Sequence, residues 1–339
     1  MRLIDTYGTP AELTGYVRAA LRDYDVNQFQ LSQWLPNDNV PDIQFRFLKG
    51  SGGLVEAASY RAYDAESDLG DREGVTRVTG ELPPISRKIR LSEYDYLRQA
   101  QLDGQIRTAV ETDAERLMRQ IAARLEVARG EALYDGKVTI NERGVIATVD
   151  FGRTAGHSNV APGTLWSDVA NADPLTDMIN WRQTYIDTNG VAPGVALTST
   201  ANKLLLLRNE AIRDLYPGAA GSQPSRISDA VLSGILGDFG LPPIVTYDVQ
   251  VKVNGSATRI IPANRFLYLP SSAEPLGTTC YGVTAEAREF PSLVGSDEAG
   301  IVAAAYSDED PVGIWTKAAA IAIPLVANPD LTFEAIVTA

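Results

Sequence analysis

The sequence predicts an α+β fold in which at least one domain is discontinuous. Three observations carry this. The chain ends on "KAAAIAIPLVANPDLTFEAIVTA", where only Pro324 interrupts the apolar run from Ala318 to Ala327. That run is about half the ~20 residues a membrane helix needs. Pro324 and the β-branched Ile321, Ile323 and Val326 point to a strand buried on both faces, entering a core built by earlier parts of the chain. Residues 104–134 carry apolar side chains at helical spacing, and residues 175–270 alternate helical and strand patterns. A length of 339 residues fits two domains, or one with large excursions.

In chain order, Thr9-Pro10-Ala11-Glu12 reads as a capping box with Pro at the first helical position, so a short helix follows to about Leu21. Residues 23–42 hold two prolines and no long period, and are expected to be an extended arm. From Ile43 to Leu91 two extended runs flank the acidic stretch "DAESDLGDREG". This ribbon is too poor in apolar residues to bury a core of its own and has to lie on something else. In the long helix Ile106, Val110, Ala114, Leu117, Met118, Ile121, Leu125, Ala128 and Ala132 form the apolar face. Charges including Arg116, Arg119, Glu126 and Arg129 are expected to cover the rest, and Asp135-Gly136 closes it. Residues 137–151 read as a hairpin. Asp173-Pro174 opens a helix that Asn189-Gly190 ends. Helices follow near 199–214 and 227–236, then one alternating strand over 244–253, a type I′ turn at Asn254-Gly255, and a strand over 265–270.

The net charge is −13, with 43 acidic against 30 basic residues, which argues against a general nucleic-acid binder. One Cys (Cys280) and one His (His157) rule out a disulfide framework and leave almost nothing for a zinc site. The opening "MRLIDTYGTPAEL" has no apolar signal segment, so a cytoplasm-like compartment is expected. "KGSGGL" lacks the lysine-bearing phosphate-loop pattern and reads as a turn. Cys280 with His157 as base is outweighed by a buried cysteine and a loop histidine. The acids of "YSDEDP" lack calcium-loop spacing, and the tryptophans read as core or interface anchors. No catalytic residue, cofactor or metal is expected, and the chain is not expected to be an enzyme. What remains is an arm, a ribbon, a long helix, a compact lobe and a return strand, the equipment of a subunit that grips neighbours.

On "SYRAYDAESDLGDREGV", "ELPPISRKIRLSEYDYLR", "DPLTDMINWRQTYIDTNGVAPGVALTS", "IPANRFLYLP" and "GIVAAAYSDEDPVGIWTKAAAIAIPLVANPD", the chain resembles the major capsid proteins of tailed bacteriophages. The likeness is to the lambda-type family, major capsid protein E, with the Hong Kong 97-type fold. The resemblance implies an N-terminal arm over 1–42 and an extension-loop β-hairpin over 43–91 with its tip at 64–74. It implies a peripheral domain over 92–171 and 306–339 with the spine helix at 104–134, and a compact axial domain over 172–305. It further implies pentamers and hexamers of an icosahedral virion shell that encloses double-stranded DNA without reading its sequence and has no membrane contact. The resemblance also implies synthesis in the host cytoplasm. The implied partners are a separate scaffolding protein, a portal and a decoration protein. A cellular encapsulin-type compartment enclosing a cargo enzyme is the alternative. The expected contacts between subunits join the tip residues Asp64, Glu66, Asp68, Asp71, Arg72 and Glu73 to cations such as Arg116, Arg119 and Arg143.

Overall fold

The computed structural model describes residues 2–49, 76–99, 103–142, 144–216, 224–271, 276–294, 299–310 and 312–339. The acidic tip 64–74 and Arg143 lie outside the described residues.

After a short β1 (Arg2–Leu3), α1 spans Pro10–Asn27. The capping box is present: Thr9 Oγ1 accepts from Glu12 N–H at 3.3 Å, and Glu12 Oε2 accepts from Thr9 N–H at 3.1 Å. The expected extended run over 23–42 is not what forms. The helix continues to Asn27, a 3-10 turn covers Gln30–Gln33, and only β2 (Asn37–Asn39) is extended. Phe29, Leu31, Trp34 and Leu35 are buried in the main core, and Trp34 Nε1 donates to the Pro270 carbonyl at 2.9 Å. A three-residue turn places these side chains inward without the 3.6 period of a helix.

The ribbon follows as β3 (Gln44–Lys49) and β4 (Thr76–Glu81), antiparallel from Gln44 opposite Glu81 to Lys49 opposite Thr76. Then come β5 (Pro84–Leu91), a short α2 (Glu93–Gln99) that the sequence pattern did not announce, and α3 (Asp103–Asp135). At ~1.5 Å per residue α3 is about 50 Å long. Each of its nine expected apolar positions is buried. Gly136 ends the helix at φ 68°, a conformation glycine adopts without Cβ strain. The hairpin is β6 (Lys137–Glu142) with β7 (Val145–Asp150).

The compact lobe begins with α4 (Pro174–Asn189), whose Asp173 cap accepts from Thr176 N–H at 3.1 Å. It continues with β8 (Val195–Thr198), α5 (Thr200–Leu206), α6 (Glu210–Asp214) and α7 (Asp229–Asp238). The single helix expected over 199–214 is two, because Asn209 caps α6 through Ile212 N–H at 3.1 Å and donates to the Ala172 carbonyl at 2.9 Å. The strand expected over 244–253 is also two, β9 (Ile244–Thr246) and β10 (Gln250–Val253). Between them the chain changes sheet. Tyr247 turns inward to α3, while Asp248 pairs with Arg259 and accepts from Thr200 N–H at 3.0 Å. Asn254-Gly255, at φ 50° and 85°, turns β10 into β11 (Ser256–Arg259). β12 (Arg265–Leu269), β13 (Gly277–Tyr281), α8 (Ala285–Glu289), β14 (Val302–Glu309), β15 (Val312–Val326) and β16 (Phe333–Ile336) complete the order.

The C-terminal run is the 15-residue β15, and it organises the main sheet. β14 pairs with its first half, β5 with residues 314–321, and β13 with residues 322–326. Its Ala318, Ala320, Ala322, Ile323 and Leu325 share one core with α1 and α3. A second sheet, in the order β16-β12-β8-β9, packs with α4 and α7 around Trp166, Trp181, Phe266, Tyr268 and Phe333. Trp166 and Trp181 stack at 5.8 Å between centroids, so both are core residues. Strands on either side of the expected 305/306 boundary pair with one another. β13 belongs to the main sheet, and β16 crosses over to pair with β12.

At Gly130 α3 runs close against Ile260. A Cβ there would meet the Ile260 carbonyl oxygen at 2.8 Å and Ile260 Cγ2 at 2.6 Å. Alanine gains ~1 kcal/mol of helix propensity over glycine, but overpacking against backbone costs about 1–3 kcal/mol. Gly130→Ala is expected to lower stability in urea unfolding. An increase would show that Ile260 yields freely.

Candidate assembly surface

α3 presents two faces of different chemistry. On its exposed side Arg116 lies 3.6 Å from Asp113, Arg119 pairs with Glu115, and Arg124 lies 3.3 Å from Glu142 of β6. The Arg119 guanidinium also stands 5.5 Å from the Tyr24 ring. Both expected α3 cations are therefore at the surface, with acids of their own helix beside them. Their expected partners in 64–74, and Arg143, fall outside the described residues. This side of α3 is the floor of a groove of 1410 Å³. Its walls come from the β10–β11 hairpin and the start of β5, with Ala123, Val127, Val251 and Val253 as apolar lining.

On the buried side stand Glu126 and Arg129, which the sequence reading placed among the solvated charges. Arg129 is 1 % exposed. Its guanidinium donates to Asp25 Oδ1 and Glu126 Oε2, each at 3.1 Å, to Thr279 Oγ1 at 3.0 Å, and to Asn37. Glu126 accepts from Leu31 N–H at 3.0 Å and Tyr247 O–H at 2.6 Å. Burial pushes the Glu126 carboxyl above the usual range, outweighing Arg129 and these hydrogen bonds. The cluster joins α1, the 29–37 segment, α3, β13 and Tyr247. A sequence signal existed: Arg129 lies four residues after Leu125 and three before Ala132, on the apolar face.

At the other end of α3, Arg153 donates to the Leu133 and Tyr134 carbonyls at 3.0 and 2.7 Å, and to Thr332 Oγ1 at 3.1 Å. A cation at the last carbonyls of a helix is favoured by the helix dipole. Glu334, fully buried, pairs with Arg265 and accepts from Asn159 N–H. The end of α3 is thereby tied to the strand that crosses between sheets.

Cys280 and His157 have separate surroundings. Cys280 is buried beside Thr278 Oγ1 at 3.5 Å, and burial pushes its thiol up, away from the reactive thiolate. His157 holds the Thr332 carbonyl through Nδ1 at 3.3 Å and Thr188 Oγ1 through Nε2 at 2.9 Å. Burial lowers its pKa. The folded pKa thus lies below the unfolded value near 6.5, and the unfolded chain takes up the proton first. The stability this provides is present above pH ~6.5 and is lost as pH falls below it. His157 is expected to make the change in unfolding free energy from about pH 7 to pH 5 more unfavourable in the wild type than in His157→Gln. Equal slopes would exclude the assignment.

Among the described residues no group of three or more His, Cys, Asp or Glu side chains could hold a metal ion. No described helix is long and apolar enough to cross a membrane. The family model for the phage major capsid protein E matches residues 9–337. The chain belongs to that family.

The capsid protein E chain also shares its fold with solved phage structures. One, described as the capsid protein of a prophage of E. coli CFT073, superposes with a TM-score of 0.65 at 15 % identity, over 96 % of this chain and 99 % of that one. A phage-related protein from Bordetella bronchiseptica RB50 gives 0.59 at 13 % identity, over 94 % and 95 %. No curated protein sequence matches this chain. The expected Hong Kong 97-type fold and the expected role as a phage head protein both stand on these findings.

Proposed function

We propose that many copies of this chain close as pentamers and hexamers into the icosahedral shell of a tailed double-stranded DNA phage. The supporting observation is the capsid protein E match, which runs through arm, ribbon, α3, compact lobe and β15 alike. A net charge of −13 suits a wall that encloses DNA delivered to it rather than one that binds DNA. Closed shells use heterologous patches, with different surfaces on the two sides of a contact. Here the acidic run 64–74 of one copy docks on an Arg-bearing face of the next, with Arg116, Arg119 and Arg143 as the accepting cations. The arm, extension loop, peripheral and axial domains take the roles implied by the family. A separate scaffolding protein, a portal and a decoration protein are the proposed partners, and synthesis is in the host cytoplasm. The chain performs no catalysis.

The test is electron microscopy of the purified protein, expressed alone and with its candidate scaffolding protein. Hollow shells of uniform diameter are the expected result. Shells that retain one co-purified cargo protein in fixed proportion would replace this reading with a cellular compartment. Dispersed monomers in both preparations would remove it.

A further inference from the structure

The groove beside α3 is a basic feature in an acidic chain. Arg87, Arg116, Arg119, Arg124 and Lys252 line it, against Glu115 and Glu142. Arg116, Arg119 and Arg124 have acids beside them. Arg87 on β5 and Lys252 on β10 are exposed and have no ion-pair partner among the described residues. They stand on the two walls, and the half-buried Val251 and Val253, which alternate with Lys252 along β10, also line the groove.

The complementary feature is at the far end of β15. There β14 returns into β15, carrying Glu309 and Asp310, both exposed and without a partner among the described residues, and Val312, 49 % exposed. Both strands belong to the main sheet, whose ladder holds Glu309 opposite Val312. This hairpin end cannot reach the groove of its own chain. Arg87 sits opposite Ala318, six residues along β15 from Val312, which is about 20 Å at strand rise.

We propose that this groove receives the Glu309–Asp310 hairpin end of a second copy, with the acids set between Arg87 and Lys252 and Val312 against the groove's apolar lining. The contact is heterologous, groove to tip, and so propagates from copy to copy. It rests on the shell reading, but it involves a different acidic element from 64–74.

Three charge variants and one cysteine pair test it. Arg87→Glu with Lys252→Glu, and Glu309→Lys with Asp310→Lys, alter exposed positions and should fold with wild-type circular dichroism. Each pair is expected to reduce particle yield at least tenfold by sedimentation, and the combination of all four should restore most of it. In a Cys280→Ala background, Asp310→Cys with Lys252→Cys should give disulfide-linked dimers and longer ladders on mild oxidation. Wild-type yield from both charge-reversed pairs overturns the contact. So does a quadruple variant no better than the pairs, unless the cysteine ladder forms. No wild-type particles but linked cysteine dimers would keep the contact and remove the shell reading. Absence of both removes both.

Discussion

Arg129→Met is expected to destabilise the folded subunit by about 3–5 kcal/mol, the usual cost of breaking a buried ion pair from one side. The loss is not mainly one of packing, since methionine fills much of the same space. It comes from leaving Asp25 and Glu126, 5 % and 0 % exposed, without their counter-charge. Two neutral acceptors, on Asn37 and Thr279, also lose a donor at once. Adding Asp25→Asn and Glu126→Gln should recover a large part of the loss, because neutral amides are far less costly to bury than carboxylates. Urea unfolding of the subunit reads both results. A triple variant as unstable as Arg129→Met would place the cost in packing instead. The first region to loosen should be residues 25–37, which the cluster fastens to α3 and β13, with early hydrogen exchange at Leu31 as the signature.

Replacing Ala65–Glu73 with a short Gly-Ser turn is expected to abolish shells or make them fall apart at lower salt and temperature. The stretch 64–74 carries Asp64, Glu66, Asp68, Asp71 and Glu73 against Arg72 alone. Like charges at this density repel, and charge-assisted pairing with a basic neighbour relieves the repulsion. The subunit itself should fold, with unchanged circular dichroism, because the main core is assembled from α1, α3 and β15. Normal, stable shells would reduce the stretch to a solvated turn. A subunit that fails to fold would mean that the ribbon packs on its own body.

Local chemistry was legible wherever one residue type settles a local geometry. Thr9 and Asp173 capped the helices expected of them, and Gly136 and Gly190 ended α3 and α4 in the left-handed region. The Asn254-Gly255 turn and the nine apolar positions of α3 were equally plain. Legibility failed where a segment's partner is distant in sequence. The alternation over 244–253 fits one strand, yet Tyr247 is drawn to Glu126, 121 residues away, and the pairing breaks there. Arg129 looked like a surface charge because its partners Asp25, Asn37 and Thr279 are scattered over the chain. The groove had no signal at all, since its floor on α3 and its walls on β5 and the β10–β11 hairpin come from segments far apart in the chain.

Helix caps, turns, the apolar face of α3, the acidic balance, the family likeness and the burial of the C-terminal run were all readable in the chain, because each depends on spacing, composition or order along it. The folded chain was needed to show which partners the buried charges have, where the chain changes sheet and which groove cations lack ion pairs among the described residues. Those outcomes depend on desolvation and on contacts between residues tens to hundreds of positions apart, and neither is encoded in any local window.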